Sequence, residues 1–347
     1  MQIDDDFLIL LFSDTQPRRP KLIENLLAGK KTVSTLFWGM RYELINYCEL
    51  FSNYKNFNII NNLKLLIDKK YLKKTIDGEH LLLTSAGKEQ QNDILNNYYL
   101  PRHSEIYHKY NILRFKKRFL LALQVSSEYS FSNKKYYPLK MNILEYNLIK
   151  KWFKLNKDSQ LSTKMYRLLY TFAESMNDDM AWQLMTTLTG HAKVALTADQ
   201  QSKYLNTTIL QLYFRQIDMF CVLLKFIKSS NEYNFLEPLT VGIRVNLMSN
   251  ASLKTFELFL DGYSLNETAY YRHIKVNTVK EHLLNAAITL PKKQFPYNRL
   301  LSLKSLKIFQ QRFTGNIDDW QFTAVKNDNL SFFDFRLYQI FRSKVDE

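Results

Sequence analysis

Glycine and proline are scarce in this chain of 347 residues, at 8 and 7. Few positions therefore force a helix to stop, and the sequence predicts a mainly α-helical protein. Cysteine is scarcer still: Cys48 and Cys221 cannot build a tetrahedral zinc site alone, and no CxxC or HExxH spacing supplies further ligands. Both read as buried or incidental reduced thiols. No apolar run approaches the roughly 18 residues of a membrane-spanning helix. The opening "MQIDDDFLILLF" has acid where a secretory signal has base, and no lipidation motif is present, so a cytoplasmic protein without membrane partners is expected. A catalytic constellation is missing too. His103, His108 and His191 lie in basic helical surroundings without a matched nucleophile or acid pair, so neither enzyme chemistry nor a metal or cofactor is expected. The stretch "AGKKT" has the tail of a phosphate-binding loop, but Glu24 stands where that motif needs glycine and no buried strand precedes it.

What the chain does have is aromatic surface and positive charge. Its 24 Phe and 22 Tyr, in a chain 46% hydrophobic, predict packed globular structure, and the length suffices for two or three domains. The net charge of +15 is concentrated: Lys and Arg outnumber Asp and Glu fifteen to four across residues 102–167 and ten to four across 251–312, while the remainder is near balance. Blocks of one sign make a directed field suited to a polyanion such as nucleic acid. Within the first block, Lys109, Arg114, Lys116, Lys117, Arg118, Lys134 and Lys135 make either a solvated face or a set of phosphate contacts.

Three stretches follow from the apolar spacing. Residues 1–100 read as a winged-helix-like unit: a helix over Leu22–Leu27, a longer one from Thr32 to Phe51, a third with Ile59, Ile60, Leu63, Leu66 and Ile67 inward, then two strands around a turn at Asp77-Gly78. Lys69, Lys70, Lys73 and Lys74 would suit either DNA contact or protein docking there. Residues 101–250 read as helix after helix with a basic face, broken near Ser130–Pro138, Lys157–Ser162, Gly190 and Pro238. Residues 251–347 read as a helix-turn-helix domain.

In that last stretch, "ASLKTFELFLDGYSL" gives a first helix ended by Gly262, and Ser264 with Glu267 makes a capping box for a second. Ala269 is small where two helices would cross, Ile274 fills the turn, and Val279, Leu283 and Ala286 form the apolar stripe of a third helix. Asn277, Thr278, Lys280, Glu281 and, at the edge, His282 remain outward. A major groove admits one helix and needs polar side chains near its N-terminus. Asn277 and Thr278 suit base edges, Glu281 a cytosine amino group, and Lys275, Lys280, Lys292 and Lys293 phosphates.

The spacing from Glu267 through Ala269 to Thr278 resembles the helix-turn-helix of response-regulator and sigma-like domains. The stretch "SLKTFELFLDGYSLNETAYYRHIKVNTVKEHLL" with the later "NLSFFDFRLYQIF" resembles more closely the helicase-associated helix-turn-helix domain, over about residues 252–341. That domain ends some RecQ-type DNA helicases and also occurs in YpbB-like proteins, helicase-free chains commonly encoded beside such a helicase. The resemblance implies a non-catalytic, nucleoid-associated accessory that binds duplex or forked DNA and a RecQ-like helicase in recombination or repair. It suggests His282 as a phosphate contact, whereas helix packing accounts for that imidazole equally well. Thr268 departs from an apolar position of the pattern and His273 from its turn glycine, where a positive φ is expected. Two other functions fit the same residues: a transcription regulator reading an operator, and a scaffold whose modules meet only proteins.

Overall fold

Helix starts follow the side chains that cap them. The computed structural model describes residues 3–54 and 57–344. Near the N-terminus, α1 (Asp5–Leu10) precedes α2 (Pro20–Leu27), whose first residue is a proline that gives up an N–H no helix would have used. Thr32 accepts from the backbone of Thr35 and starts α3 (Val33–Arg41). This helix was expected to run to Phe51; it stops at Arg41 because Glu43 takes a left-handed backbone, φ 59°, and the chain turns through a single 3₁₀ turn.

Next come α4 (Ile60–Asp68), β1 (Leu72–Lys74), β2 (Leu81–Leu83) and α5 (Ser85–Leu95). The strands pair antiparallel with Leu72 opposite Leu83, and Arg18 adds a single bridge to Leu81 on the other edge. Apart from α1, which the sequence reading did not include, the order of helices and hairpin is the one read from the sequence. Asp77 ties the hairpin turn by accepting from Thr75 Oγ1 at 2.6 Å and the backbone of Glu79 at 2.8 Å, which holds its carboxyl well below the usual range. Ile59, Leu63 and Leu66 are buried as expected, but Ile60 is 54% exposed.

The middle of the chain holds α6 (Ser104–Tyr107), α7 (Ile112–Ser130), α8 (Ile143–Asn156), α9 (Leu161–Glu174), α10 (Asp178–Thr187), α11 (Ala198–Tyr204) and α12 (Ile209–Lys228), followed by a 3₁₀ stretch, Asn231–Thr240, that contains Pro238. One helix was expected from Glu105 to Gln124. It is interrupted because Tyr110 bridges to Arg244 and the N–H of Asn111 donates to the carbonyl of Ile243 at 2.7 Å, leaving Asn111 to cap α7. The aromatics expected as core serve as core: Phe115, Phe119 and Phe220 pack at ring distances of 6.1–6.5 Å.

The last stretch contains α13 (Asn250–Leu260), α14 (Leu265–Arg272), α15 (Val276–Thr289), α16 (Leu303–Arg312) and α17 (Phe332–Ser343), the last begun by a Ser331–Asp334 capping box.

The chain gathers into two compact units, with the division at residues 100 and 250 redrawn. One unit is Asp93–Val245 with the few residues before Asp5. The other joins Asp5–Asn92 to everything from Asn246 onward. In this composite unit α15 packs on α13, α14, α17 and α3. Asp318 accepts from Arg41 Nε and from Gln16 Nε2, both at 2.6 Å, and the Arg336 guanidinium lies 3.9 Å from the centre of the Phe37 ring. The two cysteines are fully buried, which pushes the Cys48 thiol up to about 12 and raises that of Cys221 as well.

Candidate nucleic-acid interface

The geometry of the helix-turn-helix begins at Ser264. Its N–H donates to Glu267 Oε2 at 2.8 Å while the N–H of Glu267 donates to Ser264 Oγ at 3.2 Å, and these bonds hold the Glu267 carboxyl below its ordinary value. Helix α14 ends at His273, whose φ of 51° and ψ of 43° are left-handed, the conformation expected of the position where the family pattern has glycine. The turn is closed by the N–H of Ile274 donating to Ala269 at 3.1 Å. Ala269, Val279, Leu283 and Ala286 are buried as the spacing predicts.

Lys275 is the N-cap of α15, and no side chain caps this helix. Around that open start the structure brings together four expected residues: Lys275, Asn277 and Glu281 are exposed, and Thr278 is half-buried beside them. Two of them, Lys275 and Thr278, line a shallow depression together with Ala269, Tyr270, His273 and Ile274. A helix start with unsatisfied N–H groups, a lysine and short polar side chains offers donors to phosphate and hydrogen-bonding groups to base edges. The rear of α15 is unavailable, since residues 283–288 are all buried. Tyr270 was missed by the sequence reading. It is 75% exposed beside Lys275, and its only signal was an aromatic on the polar side of a short helix.

Other expected residues lie elsewhere. Lys280 is half-buried, its ammonium 5.5 Å from the centre of the Phe333 ring on α17. His282 takes the packing role: its Nδ1 is 2.8 Å from Thr255 Oγ1, and burial together with Arg272 lowers its pKa. Lys292 donates to the carbonyl of Lys344 at 3.2 Å and lies against Phe341, while Lys293 is exposed. Both follow the C-terminal end of α15, a helix of 14 residues and so about 21 Å long, which sets them apart from Lys275.

In the helical unit the fold corrects two expected phosphate contacts. Arg118 is 2% exposed and ion-paired to Glu145, and its Nη1 donates to the carbonyls of Leu239 at 2.8 Å and Val241 at 2.6 Å. Arg114 binds the same carboxylate at 2.6 Å, and the two guanidinium groups, Arg118 foremost, hold the Glu145 carboxyl below its usual range. Lys116 turns toward Gln216 and the Phe220 ring, and burial, aided by Lys117, pushes its pKa down to about 8. Of Arg114, Lys116, Lys117 and Arg118, Lys117 alone is exposed.

Residues 251–339 match the family described as "Helix-turn-helix domain". The protein is thus a mainly helical chain with a helix-turn-helix domain in its C-terminal part, a module of the DNA-binding class. Over 279 residues the chain is 19% identical to Protein YpbB of Bacillus subtilis (strain 168), which covers 79% of this chain and 78% of the relative. No solved structure matches. No helix among the described residues is long and apolar enough to cross a membrane.

Proposed function

We propose that this protein binds DNA without transforming it, and serves in the cytoplasm, at the nucleoid, as an accessory that helps a RecQ-like helicase engage duplex or forked DNA during recombination or repair. The observation that carries the DNA reading is the open, uncapped start of α15 with Lys275, Asn277, Thr278 and Glu281 around it, on a helix whose rear half is clamped in a core. A rigid helix presenting a polar tip is what a major groove accepts. The resemblance of residues 252–341 to the helicase-associated domain supports the choice of partner.

The test is fluorescence anisotropy with labelled duplex, fork and single-stranded DNA across a salt series, comparing the native chain with Lys275→Glu and Lys293→Glu. Loss of one phosphate contact lowers the slope of log affinity against log salt by about 0.9 for duplex. That loss is expected for Lys275→Glu and not for Lys293→Glu. Unchanged duplex affinity in Lys275→Glu would mean that the tip of α15 meets another partner. A preference of ~10³-fold for one sequence would instead identify a regulator.

A further inference from the structure

The helical unit contains a cleft that the helix-turn-helix does not explain. We infer that the cleft between α7 and α9 receives an unpaired base of single-stranded DNA, with the flanking phosphates held by lysine and arginine around its mouth. This deepens the DNA-binding reading above and rests on it.

The cavity has a volume of about 320 Å³, at the small end of ligand pockets. Its floor is apolar, made by Leu123, Met165, Leu169 and Leu188, and serine and threonine hydroxyls stand along it. Two aromatic pairs border it. On one side Tyr166, 64% exposed, lines the cavity and stacks with Tyr170, 53% exposed, one turn along α9, with ring centres 6.0 Å apart and planes at 27°. On the other side His191 lines the cavity and stacks on the exposed Phe131 at 4.3 Å and 17°.

The His191 side is built to stay in place. The N–H of His191 donates to Ser127 Oγ at 3.0 Å, its Nδ1 lies 3.1 Å from Glu128 Oε2, and Gly190 and Lys193 exchange backbone bonds of 3.0 and 3.1 Å around it. A Cβ on Gly190 would come 2.5 Å from Ser127 Oγ, so the loop approaches α7 as closely as glycine allows. Ala192 completes the turn at φ 55°, a left-handed backbone unusual for alanine. Rigid stacked rings left open to solvent are a platform on which a base gains more than water gives it.

Charge favours nucleic acid over an apolar peptide as the occupant. Lys193 lines the cavity, Lys134 and Lys135 follow Phe131 closely, and Arg167 adjoins Tyr166; all four are exposed and make no ion pair among the described residues. The nearby acids are already engaged: Glu128 by His191 and Asn133, Asp158 by Lys164, and Glu174 by Tyr170. A base inside a duplex is stacked on its neighbours and cannot enter such a cleft, whereas an unpaired one can.

The experiment measures equilibrium binding of the full chain to labelled oligo(dT) and to a labelled duplex, with Tyr166→Ala, Tyr166→Phe and Lys275→Glu variants and thymidine monophosphate as competitor. Tyr166 is exposed, so the fold should tolerate its truncation, which circular dichroism checks. Tyr166→Ala is expected to lower oligo(dT) affinity about 5- to 160-fold, the range of one lost base stack, while Tyr166→Phe keeps it and duplex binding stays unchanged. Oligo(dT) affinity unaltered in Tyr166→Ala, or matched by that of the monophosphate, overturns the inference. The two readings fail separately: an inert Lys275→Glu removes the helix-turn-helix from DNA and leaves the cleft, and an inert Tyr166→Ala does the reverse.

Discussion

Two basic segments of this protein fold to opposite outcomes. Residues 114–118 hold four cations in five positions, yet Arg114 and Arg118 close on one buried carboxylate, Glu145, and Lys116 turns toward Gln216. Residues 275–281 carry fewer cations, and there the fold leaves the start of α15 open with Lys275 at its tip. Charge along a sequence is therefore a poor guide to charge on a surface. What separates the two cases is a partner: an acid 27 residues away from Arg118 in one, and no ion pair to Lys275 among the described residues in the other.

The sharpest way to break this contrast is Arg118→Ala. If its guanidinium is structural, removal leaves Glu145 with only Arg114 and frees the Leu239 and Val241 carbonyls, at a cost of about 3–5 kcal/mol in urea denaturation of the full chain. DNA affinity of the folded fraction should not change. A variant that folds normally and loses DNA binding would put Arg118 back among the contacts.

A smaller loss tests whether the composite unit is one body. Asp318→Asn removes the charge that Arg41 and Gln16 share, and the bonds at stake involve a largely buried ion pair. The expected cost is about 1.5–3 kcal/mol, and signals from the hairpin and from α15 should melt together. Separate transitions would split the winged-helix-like part from the helix-turn-helix.

The third change should raise stability. Thr268 is fully buried and its Oγ1 has no hydrogen-bond partner among the described residues, so the hydroxyl has lost water without a bond in return. Thr268→Val is expected to stabilise the unit by about 1 kcal/mol, read as a higher urea midpoint with an unchanged slope.

Local features were legible and distant ones were not. The capping box at Ser264, the left-handed turn at His273 and the apolar stripe Val279–Leu283–Ala286 are all set by residues within one or two helical turns; spacing located the box and the stripe, and the resembled family's turn glycine located the turn. The break in the helix at Lys109–Asn111 depends on Ile243 and Arg244, and the burial of Arg118 depends on Glu145 and on carbonyls beyond residue 238; nothing local announces either. The joining of the first and last parts of the chain through α3, Phe37 and Arg336 is the extreme case, since pairs separated by some 300 residues leave no periodic trace. Cations are where this matters most, because a long flexible side chain finds whichever acid the fold brings near.

His282 gives the smallest effect and the finest distinction, because it sits between the two behaviours. Burial disfavours its charged form, the Arg272 guanidinium adds to that, and Glu281 opposes them only in part, so the folded protein favours the neutral ring. The unfolded chain then takes up the proton first as pH falls. Stability should be complete above the ordinary histidine value near ~6.5 and decline slightly as pH drops from there to the lower folded pKa, below which it levels off. His282→Gln should flatten that decline. Titrating the ring by NMR with and without duplex separates packing from contact: a phosphate touching the imidazole would stabilise the imidazolium, so duplex would raise the pKa and acid would tighten binding. If packing alone explains the residue, the pKa stays below its ordinary value in both titrations, and the positive tip of α15 ends at Lys275.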